Sequence, residues 1–416
     1  MNRNYKTQTR RDFLKTGAAV TLSGLVFPTI FAQQNSETDK KVRIAVVGGR
    51  FGLCFYWHLH PNCTVTAVTD LREDRRKALK DTFSCDNVFP SLEVMLKEAP
   101  HSFDAVAIFT GVPDHVKHAV MCLDAGKHVI SAVPVTNNIE ECELLLDKVR
   151  KTGLKYMMAE TSYYHPATIA ARQWFKDGLF GDLYYTEAEY HHAGMEFVLW
   201  KNPDGTPTWR HGLPPMLYPT HCTSFLTGVT GERLTDVSCI GWTDKDPILE
   251  GNLYGNPFWN ETAFFKTDKG HALRVGIFWR GAFGGCERAQ WYGDKMSFFK
   301  PDANGGEHII RRNQHEMGKD QAGFAQQLAE REEWTPPNYA AEMLPKSLEP
   351  GFGKYHEGAE VFLVHEFIEA IVQDRDPAID IYEALAYTVP GIIAHQSALN
   401  NGEQMKIPQH LFHRNR

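Results

Sequence analysis

Gly48-Gly49-Arg50-Phe51-Gly52 directly follows an apolar, β-branched run, Lys41 to Val47. Such a run reads as a buried parallel strand. A glycine-rich turn at its end lets backbone N–H groups approach a pyrophosphate. An apolar helical pattern continues through Leu59, and the dipole of that helix would favour the anion. The spacing is G-G-x-x-G, one residue short of G-x-G-x-x-G, and an ordinary tight turn would carry the same glycines. A second strand, Thr64 to Thr69, ends at Asp70, 18 residues beyond Gly52. That is close to the offset of about 20 at which an acid binds adenosine ribose hydroxyls. An acid there favours NAD, because it repels a 2′-phosphate. Arg72 leaves NADP open. The competing reading of Asp70 is a cap for a helix over Arg72 to Leu79.

The elements around this turn alternate. Asp104 to Thr110 is another buried strand, Gly111 to His115 breaks it, and a helix is expected from about Val116 to Ala125, closed by Gly126. His128 to Ser131 is the next strand. Alternation of strand and helix predicts a doubly wound parallel sheet. The second half predicts a helix over Pro166–Asp177 and a strand over Tyr184–His192. A proline- and tryptophan-rich loop follows over 193–217. Strands are expected near Thr235–Trp242, Thr262–Thr267, Leu273–Phe278 and Ala289–Tyr292. Asp268-Lys269-Gly270 is a hairpin turn. Residues 300–350 read as surface loops with one helix near Asp320–Glu332, and two helices, His356–Gln373 and Ile381–Asn400, close the chain.

Taken together, these features resemble the Gfo/Idh/MocA family of NAD(P)-dependent oxidoreductases. The resemblance is carried by D-A-V-A-I-F-T-G-V-P-D-H, by A-G-K-H-V, by Gly181-Asp182-Leu183, and by the tail from Phe362 to Pro408 with F-I-E-A-I, H-Q-S-A-L and K-I-P. It implies an α/β fold: an N-terminal Rossmann sheet over 41–161, then a C-terminal α/β domain over 162–416 with an open, mainly antiparallel sheet. It also implies a cofactor site of Gly48, Gly49, Arg50, Phe51, Gly52, Asp70, Leu71, Arg72, Thr110, His115, Ala132, Val133 and Pro134. NAD is the expected cofactor, with NADP not excluded. His115 is expected to support the cofactor structurally.

The family normally carries Glu-Lys-Pro where this chain has Ala132-Val133-Pro134. That lysine helps shuttle the substrate proton, and valine can neither donate nor accept one. A branch with a similar loss is the NAD-dependent α-N-acetylgalactosaminidase family of glycoside hydrolases. Tyr156 to Glu160, Glu189 to His192 and Leu217 to His221 are similar to it, whereas C-T-S-F-L after His221 departs from its glycine-rich continuation. By that resemblance Glu160, Tyr190, Tyr218 and His221 fall on active-site positions.

The chemistry implied is hydride transfer at a ring carbon, C3 for example, of a sugar or glycoside. His221 would contact the oxidised hydroxyl, with Tyr218 beside it. Tyr190 would be a base at the neighbouring carbon, and Glu160 would orient substrate or the nicotinamide ribose. Plain oxidoreduction is the leading expectation. A redox-neutral glycosidase working by oxidation and elimination is the alternative. A cofactor-bound protein without turnover is a third reading. Tyr190 and Glu160 have ordinary alternatives as a core aromatic and a buried acid on a backbone donor, and His221 as a helix-capping histidine. His191 and His192 face opposite sides of their strand, with His192 on the side of Tyr190. His115 and His118 lack further ligands, so no metal is expected. Trp200, Trp209, Trp259 and Trp279 suit either sugar stacking or the core.

Composition bounds these readings. With 416 residues, 43% hydrophobic and 23% charged, the chain suits a two-domain globular enzyme. Thr9-Arg10-Arg11-Asp12-Phe13-Leu14-Lys15 reads as a twin-arginine export motif, followed by an apolar stretch to Phe31 and a cleavage site after Ala32. Residues 1–32 are then a signal peptide and 33–40 a polar linker. A retained membrane anchor is the alternative for the signal. Cleavage would leave a net charge of −11 and no stable membrane span, and an acidic body argues against nucleic acid. The expectation is a periplasmic or otherwise extracytoplasmic homo-oligomer. Such a protein crosses the membrane folded, carrying its cofactor. Export also favours a cycle that does not release reduced cofactor each turnover. The eight cysteines form no C-x-x-C pair and read as buried hydrophobes, with Cys222 only a weak nucleophile candidate.

Overall fold

Valine and isoleucine fill β1 (Val42–Val47), and every residue of it except Arg43 is buried. A strand buried on both faces needs neighbours on both edges. β1 pairs in parallel with β2 (Cys63–Thr69) and with β4 (Ala105–Ile108). β3 (Val88–Phe89), β5 (His128–Ser131) and β6 (Tyr156–Met158) complete a sheet of order β3-β2-β1-β4-β5-β6. The order reverses between β1 and β4, which opens the crevice where doubly wound sheets bind ligands. The computed structural model describes residues 40–194, 200–202, 204–244, 247–282, 285–302, 305–312, 330–351 and 355–414. The twin-arginine motif, the cleavage site and most of the expected linker lie outside these residues. Among the described residues no helix is long and apolar enough to cross a membrane.

The sheet is wrapped by α1 (Glu73–Phe83), α2 (Leu92–Glu98), α3 (Val112–Asp124) and α4 (Ile139–Thr152). Ser91 caps α2 by accepting from Val94 N, and Asn138 caps α4 by accepting from Glu141 N. α3 begins four residues earlier than expected. Pro113 sits in its first turn, where the missing N–H costs no helical bond.

The expected helix after the glycine turn does not form. Gly52–Cys54 and Trp57–Leu59 are single 3-10 turns separated by extended backbone at Phe55. Phe55 and Trp57 are both fully buried, and Phe55 packs on Phe109 at 4.4 Å. Residues two apart point about 200° apart on a helix, so the chain leaves the helix to bury both rings. The glycine turn therefore has no long helix dipole behind it.

The second half is built on α5 (Pro166–Lys176), β7 (Leu183–His191), α6 (Thr220–Thr230), β8 (Leu234–Trp242), β9 (Asn260–Thr267), β10 (Ala272–Phe278), β11 (Cys286–Gly293), β12 (Met296–Phe299), β13 (His308–Arg312) and β14 (Glu330–Trp334). α7 (Tyr339–Met343), α8 (Ala359–Val372), α9 (Ile381–Leu399) and β15 (Met405–Lys406) complete it. The nine strands run β14-β13-β12-β11-β7-β10-β9-β8-β15, antiparallel except for β7 beside β10. α6 packs on β7, β10 and β11, and α9 packs on β8 and α6. The helix expected near Asp320–Glu332 is contradicted at its end, because Glu330–Trp334 is a strand. β14 pairs with β13, and the Trp334 ring meets Phe298, His308 and Trp174. The ring contacts of this half-buried aromatic outweigh the helix preference of the preceding glutamates. Residues 313–329 are outside the described part.

Gly48 fixes the turn. Its φ is +101°, and a Cβ there would lie 2.5 Å from the carbonyl oxygen of Phe109. Gly48→Ala is expected to lose about 2–4 kcal/mol, from backbone strain plus overpacking. Thermal unfolding of the purified variant measures this.

Candidate active site

Two strands and two turns place the reactive groups. Tyr190 lies near the end of β7, and Glu287 on β11 is its direct cross-strand partner. Directly opposed residues share a face of the sheet, here the face covered by α6. Tyr218 precedes α6 and His221 lies in its first turn. Glu160 follows β6 and caps the turn Thr161–Tyr164 by accepting from Ser162 N at 2.8 Å.

These elements bring Glu160, Tyr190, Tyr218 and His221 together. His221 Nδ1 donates to Glu160 Oε1 at 2.8 Å, and the His221 ring lies 4.9 Å from that of Tyr190 and 5.4 Å from that of Tyr218. The two tyrosine rings stack at 6.0 Å. Glu160 is completely buried. It therefore acts on His221 and touches no open space. His221 Nε2 is the end of the ring left for a ligand. His192 lies on the Tyr190 side at 5.8 Å, while His191 packs on Phe278 across the sheet. Trp200, Trp259 and Trp279 are buried core residues. Trp279 backs Tyr190 edge-on at 5.7 Å. Arg210 covers the rings of Trp209 and Tyr218, and Trp209 sits against Gly111, so this loop seals onto the nucleotide half. Cys222 is fully buried and its thiol is pushed far up by burial, which removes it as a nucleophile.

Four further residues belong to the site. Ser162 Oγ donates to Glu287 Oε2 at 2.6 Å. Glu287 Oε2 lies 3.9 Å from His221 Nδ1 and 3.6 Å from His165 Nε2. Lys300 Nζ reaches His165 Nδ1 at 2.8 Å. Burial alone would lower the His221 pKa, but Glu160 and Glu287 outweigh it and carry it up to about 10. Burial would raise Glu287, and His221, His165 and Lys300 outweigh it, holding it near 2. The Tyr190 phenol is raised far above its ordinary value by burial, then by Tyr218 and Glu287. In the resting site both Tyr190 and His221 hold their protons.

Glu287 had a readable signal. In C-E-R-A-Q-W it shares strand phase with Ala289 and Trp291, both fully buried, so it is an acid in an apolar phase. Beginning that strand at Ala289 hid it. Ser162, His165 and Lys300 had no such pattern, because they meet across about 140 residues of sequence.

The nucleotide crevice is lined as follows. Asp70 accepts from Gly49 N at 2.6 Å and from Arg72 N at 2.8 Å, so the carboxylate holds the turn and lies outside α1. Arg72 itself pairs with Asp74. Leu71 is 84% exposed at the rim. Phe51 is wedged among Phe55, Phe109 and His356. Thr110 binds His118, and both ring nitrogens of His115 face carbonyl oxygens, those of Pro134 and Thr110. His115 thus ties the two strand ends together. Ala132 and Val133 are buried beneath it. Burial, Arg75 and Arg210 each disfavour the charge on Arg50, so three guanidiniums gather near a turn where a Cβ has no room. This cradle fits a dinucleotide pyrophosphate, with cations in place of a helix dipole.

One other group has metal-ligand types, His60, His365 and Glu369. Asn62 N donates to His60 Nδ1, so the ring hydrogen is on Nε2 and points at His365 Nδ1, 3.0 Å away. That is a histidine–histidine hydrogen bond, with the His60 ligand nitrogen already protonated.

Comparison with known proteins agrees with this architecture. A glycosyl hydrolase family 109 protein of Streptomyces coelicolor is 31% identical over 305 residues, which is 62% of this chain and 64% of that protein. An alpha-N-acetylgalactosaminidase of Shewanella oneidensis is 31% identical over 249 residues, 51% of this chain and 53% of that protein. The chain thus spans less than two thirds of these curated relatives. A levoglucosan dehydrogenase solved with NADH and levoglucosan superposes with a TM-score of 0.72 over 89% of this chain and all of that one, at 16% identity, which establishes a shared fold. Residues 42–160 match the family described as "Oxidoreductase family, NAD-binding Rossmann fold". This segment of the chain is therefore an NAD-binding Rossmann domain of the Gfo/Idh/MocA oxidoreductase type.

Proposed function

We propose that this protein is an NAD-dependent enzyme that oxidises a ring carbon of a sugar or glycoside, with His221 as the group that handles the substrate hydroxyl proton. The observation that carries this reading is the buried Glu160–His221 pair beside two tyrosines at the mouth of an NAD crevice. When bound, oxidised NAD supplies the hydride acceptor and a positive ring whose charge lowers the pKa of its neighbours. His221 would first release its Nε2 proton to solvent and then, held at Nδ1 by Glu160, take the hydroxyl proton at Nε2. Glu160 and Glu287 stabilise the imidazolium that results. Tyr218 and Tyr190 present donors to the sugar. The valine at position 133 leaves this work to histidine.

A second reading is favoured by Tyr190 lying 4.9 Å from His221 and by the likeness to a glycosyl hydrolase family 109 protein and an alpha-N-acetylgalactosaminidase. Here the ketone acidifies the adjacent C–H, Tyr190 moves that proton, and the glycosidic group leaves by elimination. Water then adds, and the hydride returns. The twin-arginine motif supports an extracytoplasmic location with retained cofactor, which suits such a closed cycle. Exposed Ile240, Trp242 and Phe264 on one end of the large sheet support homo-oligomer formation.

Protein purified without added nucleotide tests both readings. Its absorbance in the reduced-nicotinamide band is followed while glycosides are titrated, and products are analysed. Stable reduction with a keto-sugar establishes oxidoreduction. Transient reduction with free sugar establishes the closed cycle. Nucleotide that never changes redox state with any sugar overturns both.

His221→Gln is expected to lower kcat by about 10²–10⁴-fold with intact folding, since a general base contributes this much. Circular dichroism beside steady-state rates separates the two effects.

Glu160→Gln should act through pH. It removes the strongest influence raising the His221 pKa. The base works only when deprotonated, so the acid limb of kcat/KM must move to lower pH. The plateau rate must fall, because a weaker base accepts the proton less readily. A limb that stays in place sinks the assignment of His221 as base.

A further inference from the structure

Two imidazoles compete for one proton on the floor of the pocket. His165 and His221 are both buried, and both face Glu287 Oε2, at 3.6 Å and 3.9 Å. That shared carboxylate favours neither ring, but each ring has a second one, Glu160 Oε1 at 2.8 Å from His221 Nδ1 and Glu357 Oε1 at 3.7 Å from His165 Nδ1. Which ring is charged decides which one can exchange a proton with a ligand. Only His221 lies against the two tyrosines.

Lys300 adds to the bias that Glu160 gives His221. It follows β12 and is buried, and its ammonium contacts His165 Nδ1 and Glu357 Oε1, each at 2.8 Å. An ammonium has donors and no acceptor. The bare nitrogen of His165 is therefore Nδ1, and its hydrogen sits on Nε2, facing Glu287. A second proton on this ring would set N–H against N–H. The charged groups around His165 are Lys300, Glu357, Glu287 and His356. Burial first and Lys300 second lower its pKa to about 4, against the pull of both carboxylates. On its remaining side lies the Phe225 ring, which also packs against Lys300.

We infer that Lys300 is a positioning residue that holds His165 in its neutral, Nε2–H form and so confines the mobile proton of the pocket to His221. Its value to the reaction rests on His221 working on the substrate, as proposed above. The proton placement itself needs no substrate. Without Lys300, His165 would take up a proton, pair with Glu287 and withdraw that carboxylate from His221. A lysine serving only to anchor Glu357 would have no such effect.

Nitrogen NMR of the histidine side chains in the ligand-free full chain tests this, with His165→Gln and His221→Gln giving the assignments. Between about pH 5 and about pH 8, His165 should be neutral with hydrogen on Nε2, and His221 should be an imidazolium. Either the other tautomer or a charged His165 in the native protein overturns the inference without any further variant. In Lys300→Met, the His165 midpoint should rise by about one pH unit or more, and the His221 midpoint should fall. Lys300→Arg, which keeps a cationic donor, should restore the native pattern. His165 remaining neutral in Lys300→Met also overturns the inference. In kcat/KM, Lys300→Met should add an ionisation that vanishes in the His165→Gln/Lys300→Met double variant. Absence of activity on every glycoside would defeat the proposed function while leaving the NMR result decisive for Lys300.

Discussion

Glu160, fully buried, and Glu287, whose side chain is 14% exposed, share His221, and the other charges of the pocket follow from the need to compensate them. An unpaired buried carboxylate costs several kcal/mol. Two of them in one pocket demand cations that are themselves buried and hydrogen-bonded. His221 lies beside both carboxylates, Ser162 fills a lone pair of Glu287, and Lys300 pairs with His165 and Glu357. Each compensating group comes from a different element: the start of α6, the end of β12, and the turn after β6. The junction of the nucleotide half with the large sheet is therefore held by charge as well as by apolar packing.

Compensation also sets what the pocket can do. A histidine between two carboxylates is a strong proton acceptor, and its ring orientation is fixed through Nδ1. Tyr190 beside it is held protonated by burial first and then by Tyr218 and Glu287. The pocket thus starts with its protons in place and needs positive charge from a ligand to release them. A nicotinamide ring in its oxidised form brings that charge. In the function proposed above, that charge would link oxidation state to proton release without the lysine that position 133 lacks.

Much of the fold was legible because apolar runs and turn residues carry local signals. β1, β2, β4 and β5 were readable from β-branched runs, and α5 from amphipathic spacing. Failure came where burial of a particular ring overrode local preference. Phe55 and Trp57, two apart and both buried, replaced a helix with two short turns. Trp334 drew a glutamate-rich segment into β14. Within the site, Glu160, Tyr190, Tyr218 and His221 were legible only through resemblance, and the structure brings them together. Glu287 was legible from strand phase. His165 and Lys300 were not, since their chemistry comes from a contact that no sequence spacing encodes.

The missing helix has a consequence for the cofactor. In the usual arrangement a helix N-terminus offers aligned N–H groups to the pyrophosphate. Here the turn after Gly52 is one 3-10 turn long, and Gly49 N is already spent on Asp70. Fewer backbone donors remain, and Arg50, with Arg75 and Arg210 nearby, carries more of the anion's charge. Arg210 also covers Tyr218. Arg210 thus acts electrostatically on the Arg50 turn while it covers the ring of Tyr218.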